Sequence, residues 1–175
     1  WMEVPTAFVC LTPWYLPSPL TLNFEDEGGG TVMQYEYTYD DDLVYGATGA
    51  GAYAVQITAQ GHDPAALIIR YDGLIVNPVL TLTGVASGTL YGKCTISAEF
   101  AAGDALILCT EREDAYARKI AADGTVTDLL DKVDIGSEAE PFFTVPLTEP
   151  CILQLNSSAM SGKISAKAFF YYRTV

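Results

Sequence analysis

Ala52-Tyr-Ala-Val-Gln-Ile-Thr-Ala59 and Cys151-Ile-Leu-Gln-Leu-Asn156 set the terms on which this chain folds. Both partly alternate apolar with polar side chains and are rich in strand formers, the pattern of a β-strand with one buried and one wet face. Gly61-His-Asp-Pro64 and Tyr71-Asp-Gly73 carry turn residues and read as punctuation. Further strands are expected at Ala7 to Leu11, Leu20 to Phe24, Thr31 to Tyr37, Ala65 to Tyr71, Ile75 to Thr83 and Thr89 to Phe100. Ala105 to Thr110, Tyr116 to Ala121, Phe142 to Val145 and Ser165 to Arg173 complete the set. So many short strands overfill one flat sheet, and no long amphipathic helix separates them. The expectation is an all-β fold, two packed antiparallel sheets in a sandwich or jelly roll. Only Val126-Thr-Asp-Leu-Leu-Asp-Lys-Val133 offers helical spacing, with Leu129, Leu130 and Val133 behind a cap at Thr125 or Thr127, and predicts one short helix. Glu25 to Gly30, Asp40-Asp-Asp42 and Ala47 to Gly51 read as exposed loops. No repeat of solenoid or propeller length is visible.

The 175 residues fit one domain, 1–175, that buries about 70% of its unfolded surface. Half the residues are hydrophobic and 18% are charged, a balance opposite to that of a disordered chain. Nine Lys and Arg against 22 Asp and Glu leave a net charge of −13, which excludes attraction to nucleic acid or to anionic lipid. No apolar run approaches a membrane span, and Trp1-Met-Glu3 is no leader-type start, so neither span nor signal is expected. Trp1 in place of an initiator Met predicts a piece of something longer. Cys10, Cys94, Cys109 and Cys151 are widely spaced and form no C-x-x-C pair, which predicts buried reduced thiols; pairing across neighbouring strands stays open for an oxidising compartment.

No catalytic, cofactor-binding or metal-ligating set emerges. His62 is the single histidine and sits in a turn, away from any nucleophile motif, so a solvated turn residue is expected. Four scattered Cys with one His do not make a zinc site. Glu25-Asp-Glu27 and Asp40-Asp-Asp42 do not match a calcium loop, and 22 acids single out no carboxylate pair for glycoside hydrolysis. Eleven Tyr, seven Phe and two Trp raise the question of sugar binding, yet Phe142-Phe143 and Phe169-Phe-Tyr-Tyr172 lie in strand-like runs where half of each set packs inside. Trp14 and Tyr15, between Pro13 and Pro17, suit either an anchor that closes the sandwich or an exposed contact surface. With Asp40, Asp41 and Asp42 they are the expected protein or glycan contacts.

Particular strings add a resemblance. Cys10-Leu-Thr-Pro-Trp-Tyr15, Gly73-Leu-Ile-Val-Asn-Pro78, Leu80-Thr-Leu-Thr-Gly84, Ala102-Gly-Asp-Ala-Leu-Ile107 and Cys109-Thr110 occur in that order. Asp123-Gly124, a short Leu-rich segment, Pro141-Phe-Phe143 and Phe170-Tyr-Tyr-Arg173 follow. From about Phe8 to Arg173 this order resembles the C-terminal domain of siphophage distal tail proteins, the Dit-like component of the tail-tip baseplate. The resemblance implies a galectin-like sandwich within a structural, non-enzymatic virion protein of a phage or prophage tail. Such a protein forms a hexameric ring through an N-terminal domain that this chain lacks, and links the tail tube to host-recognition proteins. It implies other tail-tip proteins as partners, no cofactor, and synthesis in the cytoplasm of the bacterial host. It also makes Gly73, Asn77, Pro78, Gly103, Asp104 and Gly124 architectural, because Gly and Asn accept positive φ while Pro78 needs a strand edge or bulge. The rival reading is a carbohydrate-binding module touching cell-wall glycans through a sheet face, although the His-x-Asn-x-Arg pattern of galectins is absent around His62.

Overall fold

Two long runs, residues 63–84 and 151–172, pair antiparallel along almost their whole length and position everything else. The computed structural model describes residues 14–15, 20–22, 24–26, 49–111, 113–135 and 139–172. Its strands are β1 (Trp14–Tyr15), β2 (Leu20–Leu22), β3 (Glu25–Asp26), β4 (Gly49–Ile57), β5 (Asp63–Val76) and β6 (Val79–Gly84). Then follow β7 (Leu90–Thr95), β8 (Glu99–Phe100), β9 (Ala105–Cys109), β10 (Tyr116–Ile120), β11 (Val126–Asp128) and β12 (Cys151–Tyr172). The first part of β12 lies between β4 and β6, and β7 flanks β6. The second part lies between β5 and the short β2 and β1, and β9, β10 and β11 extend the sheet beyond β5. The expected sandwich is present, and its two layers belong to one continuous antiparallel sheet curled on itself.

The curl has a local cause. Between β5 and β6, Asn77 takes φ 47°, the sole positive φ outside glycine among the described residues, and Pro78 follows without an N–H to donate. Opposite them β12 keeps its register with β5 and β6, while its pairing with β4 slips between Ser157 and Met160. The Ser157 hydroxyl lies 2.6 Å from the Val76 carbonyl and 2.8 Å from that of Ala159, and accepts from the Val76 N–H at 3.2 Å. It satisfies backbone groups of Val76 and Ala159 at the bend between β5 and β6. A second close approach sets Gly73, at φ 133°, opposite Gly162. A Cβ on Gly162 would collide with the Asp72 carbonyl, so two strands can meet there only without side chains.

Alternate residues of both layers fill one core. Leu80, Leu82, Cys94, Leu153 and Leu155 face Leu67, Ile69, Tyr71, Leu106, Leu108, Ala166, Ala168 and Phe170. Tyr53 and Tyr71 meet across the layers with ring centroids 6.3 Å apart, and the Tyr53 hydroxyl donates to the Gly162 carbonyl at 2.9 Å. Phe143 covers Gly92, whose missing Cβ makes room for its ring, and Val145 bridges to Ala65. At the β8–β10 corner the Asp104 carboxylate accepts from the N–H groups of Ala101 and Ala122 and pairs with Lys119 Nζ at 2.7 Å. Gly103 and Gly124 turn at φ 95° and 86°, as architectural residues should.

Several expectations require correction. Tyr71-Asp-Gly73 is no turn: β5 runs through it in unbroken register with β12, and the Gly73 N–H donates to the Asp104 carbonyl at 2.9 Å. Thr89 to Phe100 divides into β7 and β8, and Phe142 to Val145 bridges to a strand by its backbone at Val145 alone. The expected short helix is a single 3₁₀ turn, Leu130–Lys132, preceded by β11. Its start is claimed by β10, to whose Ala117 carbonyl Leu129 N–H donates, and too few residues remain to nucleate an α-helix. Within Glu25 to Gly30, Glu25 and Asp26 form β3 against Ala54 and Tyr53 rather than a loop. Ala7 to Leu11 and Thr31 to Tyr37 lie outside the described residues.

Candidate interaction surface

Strand alternation aims every second residue of the β2–β12–β5–β9–β10–β11 layer away from the core, and register sets those residues in rows. One row joins Thr21, Lys167, Ile68, Cys109 and Tyr116; the next joins Ser165, Arg70, Ile107, Arg118 and Asp128. A third joins Lys163, Asp72, Ala105, Ile120 and Val126. Four of the chain's nine cationic side chains therefore share this one face. Against them stand Asp72 and Asp128 in the rows, and Glu111 and Asp114 beside Cys109 and Tyr116, so the charges balance at 4 − 4 = 0 within a chain of −13. Ile68, Ile107, Ile120 and Val126 step diagonally across the same rows, the first three half-buried and Val126 exposed.

Individual groups are held in different ways. The Arg70 guanidinium donates to both Asp72 oxygens, and this hydrogen bonding holds it more firmly protonated than usual. Arg118 stacks on the Tyr116 ring, 4.1 Å from its centroid. Burial by the layer pushes the Tyr116 hydroxyl up. Lys163 and Lys167 are exposed and form no ion pair among the described residues. Two exposed ammonium groups beside an aliphatic diagonal suit contact with an acidic, partly apolar surface.

The expected contact residues fall elsewhere. Trp14 and Tyr15 form β1, whose backbone pairs with Tyr172 and Tyr171 at the end of the same layer. Asp40, Asp41 and Asp42 lie outside the described residues. His62 is exposed at its turn and meets the edge of Tyr172 at 5.8 Å. Cys94, Cys109 and Cys151 are buried free thiols, as expected, while Cys10 lies outside the described residues. Among the described residues no group of His, Cys, Asp and Glu could hold a metal ion, and no helix is long and apolar enough to cross a membrane. The gathering of cations on one face went unseen in the linear sequence. Its trace there is the alternation Lys163, Ser165, Lys167, but Arg70 and Arg118 join it only through strand register.

No family model matches the chain, and the search of curated proteins finds no match. Among solved structures the chain is similar to one described as the phage P2 baseplate in its activated conformation with Ca. The TM-score is 0.55 at 16% sequence identity, and the alignment covers 96% of this chain. This chain spans 57% of the length of that one. At such identity the likeness is one of fold: the curled all-β sandwich described above is a baseplate-like fold.

Proposed function

We propose that this chain is a non-enzymatic structural component of a phage or prophage tail tip. In this reading it is the galectin-like C-terminal domain of a distal tail protein, joining tail tube to host-recognition proteins. The observation that carries the proposal is the fold likeness to a baseplate chain along nearly the whole sequence. The ordered strings support it, because Gly73, Asn77, Gly103 and Gly124 all sit at the positive-φ positions that hold the sandwich in shape. Residues 1–175 then form one domain, resident in the virion after synthesis in the bacterial cytoplasm. Other baseplate proteins are its partners, with a hexameric ring formed in the full-length protein and no part played by nucleic acid or membrane insertion. Trp14, Tyr15 and Asp40 to Asp42 are proposed contacts alongside the Lys163 and Lys167 rows.

Deletion of the segment encoding these residues, followed by electron microscopy of the particles, tests the reading. Tails with missing or broken tips are expected; intact, infective tails would refute it. Specific hits on a glycan array would instead move the function to carbohydrate recognition.

A further inference from the structure

One end of the sheet is an open edge at β11. Val126, Thr127 and Asp128 are all exposed, and among the described residues β11 pairs with β10 alone. The hydrogen bonds on either side fix which backbone groups it leaves over. Ala121 N–H donates to the Thr125 carbonyl at 2.9 Å and Leu129 N–H to that of Ala117 at 2.8 Å, in the register that pairs Lys119 with Thr127. Thr125, Thr127 and Leu129 therefore turn their peptide groups toward β10, and the N–H and C=O of Val126 and Asp128 point out of the sheet. Aliphatic surface lies beside them: of the seven large hydrophobic residues most exposed in the described structure, Val126 at 58%, Leu130 at 42% and Ile135 at 74% belong to this stretch. The edge is also acidic. Asp123, Asp128, Asp131 and Asp134 stand against Lys132 and, across the ladder from Asp128, Arg118, which leaves −4 + 2 = −2. Lys119, the remaining cation of β10, is paired with Asp104.

We propose that β11 receives an extended, cationic segment of a partner protein as one further antiparallel strand. The outward backbone groups of Val126 and Asp128 supply the hydrogen bonds, and side chains at alternate positions supply the selection. A Lys or Arg of the incoming strand stands opposite Asp128, so that charge alternates in sign from Arg118 through Asp128 to the newcomer. Two residues farther on, an aliphatic side chain stands opposite Val126 and extends the row that begins at Ile120. A second copy of this chain fits poorly. Laid antiparallel on itself about Thr127, β11 sets Asp128 against Val126 and gathers the acids of two chains that carry −13 each. An acidic edge thus rejects its own copies while its backbone stays open to a strand of opposite charge. The proposal rests on the sheet edge and its charges and is independent of the tail-tip reading.

NMR titration of the isotope-labelled 175-residue chain with a short capped peptide, in which Thr alternates with Val, Lys and Ile in that order, tests it. Saturating shifts are expected at the Val126 and Asp128 amides and their neighbours. Replacing the peptide's Lys by Glu should weaken binding about tenfold or more. Val126→Pro removes an outward N–H without touching the ladder to β10, so the chain should keep its fold, as read by thermal unfolding, and lose the peptide by a similar factor. Asp128→Lys is the second variant and keeps both outward N–H groups. It should reverse the preference and take the Glu peptide over the Lys peptide, although the chain still carries −13 + 2 = −11 and its bulk charge favours the cation. Absence of saturating shifts at these amides, equal binding of the two peptides, an unreversed preference in Asp128→Lys, or a folded Val126→Pro that binds like the wild type would each overturn the proposal. So would concentration-dependent shifts at the same amides without peptide, which would mean that a second copy takes the edge.

Discussion

Glu149 accepts from the Ser87 and Tyr91 hydroxyls and from the N–H groups of Ser87 and Ala86, tying the turn after β6 to the start of β12. These bonds, the Ser87 hydroxyl first, hold its carboxyl at about 2 against an ordinary 4.5. A depressed folded value means that the stabilisation is complete above about 4.5 and is withdrawn as pH falls toward about 2. Urea unfolding across that window should show the wild type losing stability faster than Glu149→Gln, with the two converging at the acid end; parallel curves would refute the role. The thiols make a second case. Burial pushes Cys94 up to about 12, and Cys109 and Cys151 upward as well. A thiol reagent at neutral pH should leave these three unmodified in the folded chain and label them after denaturation, as read by peptide mapping. Their burial was legible in the wide cysteine spacing, whereas nothing near Glu149 in sequence announces donors some 60 residues away.

The longest strand was the least legible element. In β12 the buried positions are Cys151, Leu153 and Leu155 before the bend and Met160, Ala166, Ala168 and Phe170 after it. The inward phase changes from odd to even between Leu155 and Met160, where β12 takes one extra residue against β4 but none against β5 and β6. The partner run changes with it, from Leu67, Ile69, Tyr71 and Ile75 to Leu80 and Leu82 across Asn77-Pro78. A period of two therefore sees two short strands on each side, which is how residues 151–156 and 165–173 came to be expected separately. The bend itself is open to test. Ser157→Ala leaves the Val76 backbone groups without their side-chain partner and should cost about 1 to 2 kcal/mol in urea unfolding. Gly162→Ala drives a methyl into the Asp72 carbonyl and should cost about 2 kcal/mol or more, whereas Gly88→Ala meets no atom within 4 Å and should cost only its φ strain, about 1 kcal/mol. Equal effects of the two alanines would mean that the β5–β12 approach is looser than it looks.

At the scale of the whole molecule, charge was legible as a sum and illegible as a distribution. A net −13 excludes an anionic polymer as the partner of the average surface, but says nothing of a face where Arg70, Arg118, Lys163 and Lys167 converge. Convergence requires the register of three strands that lie far apart in sequence. The chain as a whole carries −13, so its acids repel one another across much of the surface. Surface charges interact over roughly 10 Å at 0.1 M salt and farther at lower salt, so folded-state repulsion should weaken as salt is added. Short contacts such as Asp104 with Lys119, 2.7 Å apart and largely out of water, are screened far less. Raising sodium chloride from about 10 mM to about 150 mM is therefore expected to raise the Tm by a few degrees. Lys163→Glu/Lys167→Glu, at −13 − 4 = −17, should show the steeper rise because it deepens the excess of acids. A Tm that falls with salt would mean that attractive pairs such as Asp104 with Lys119 outweigh the repulsion.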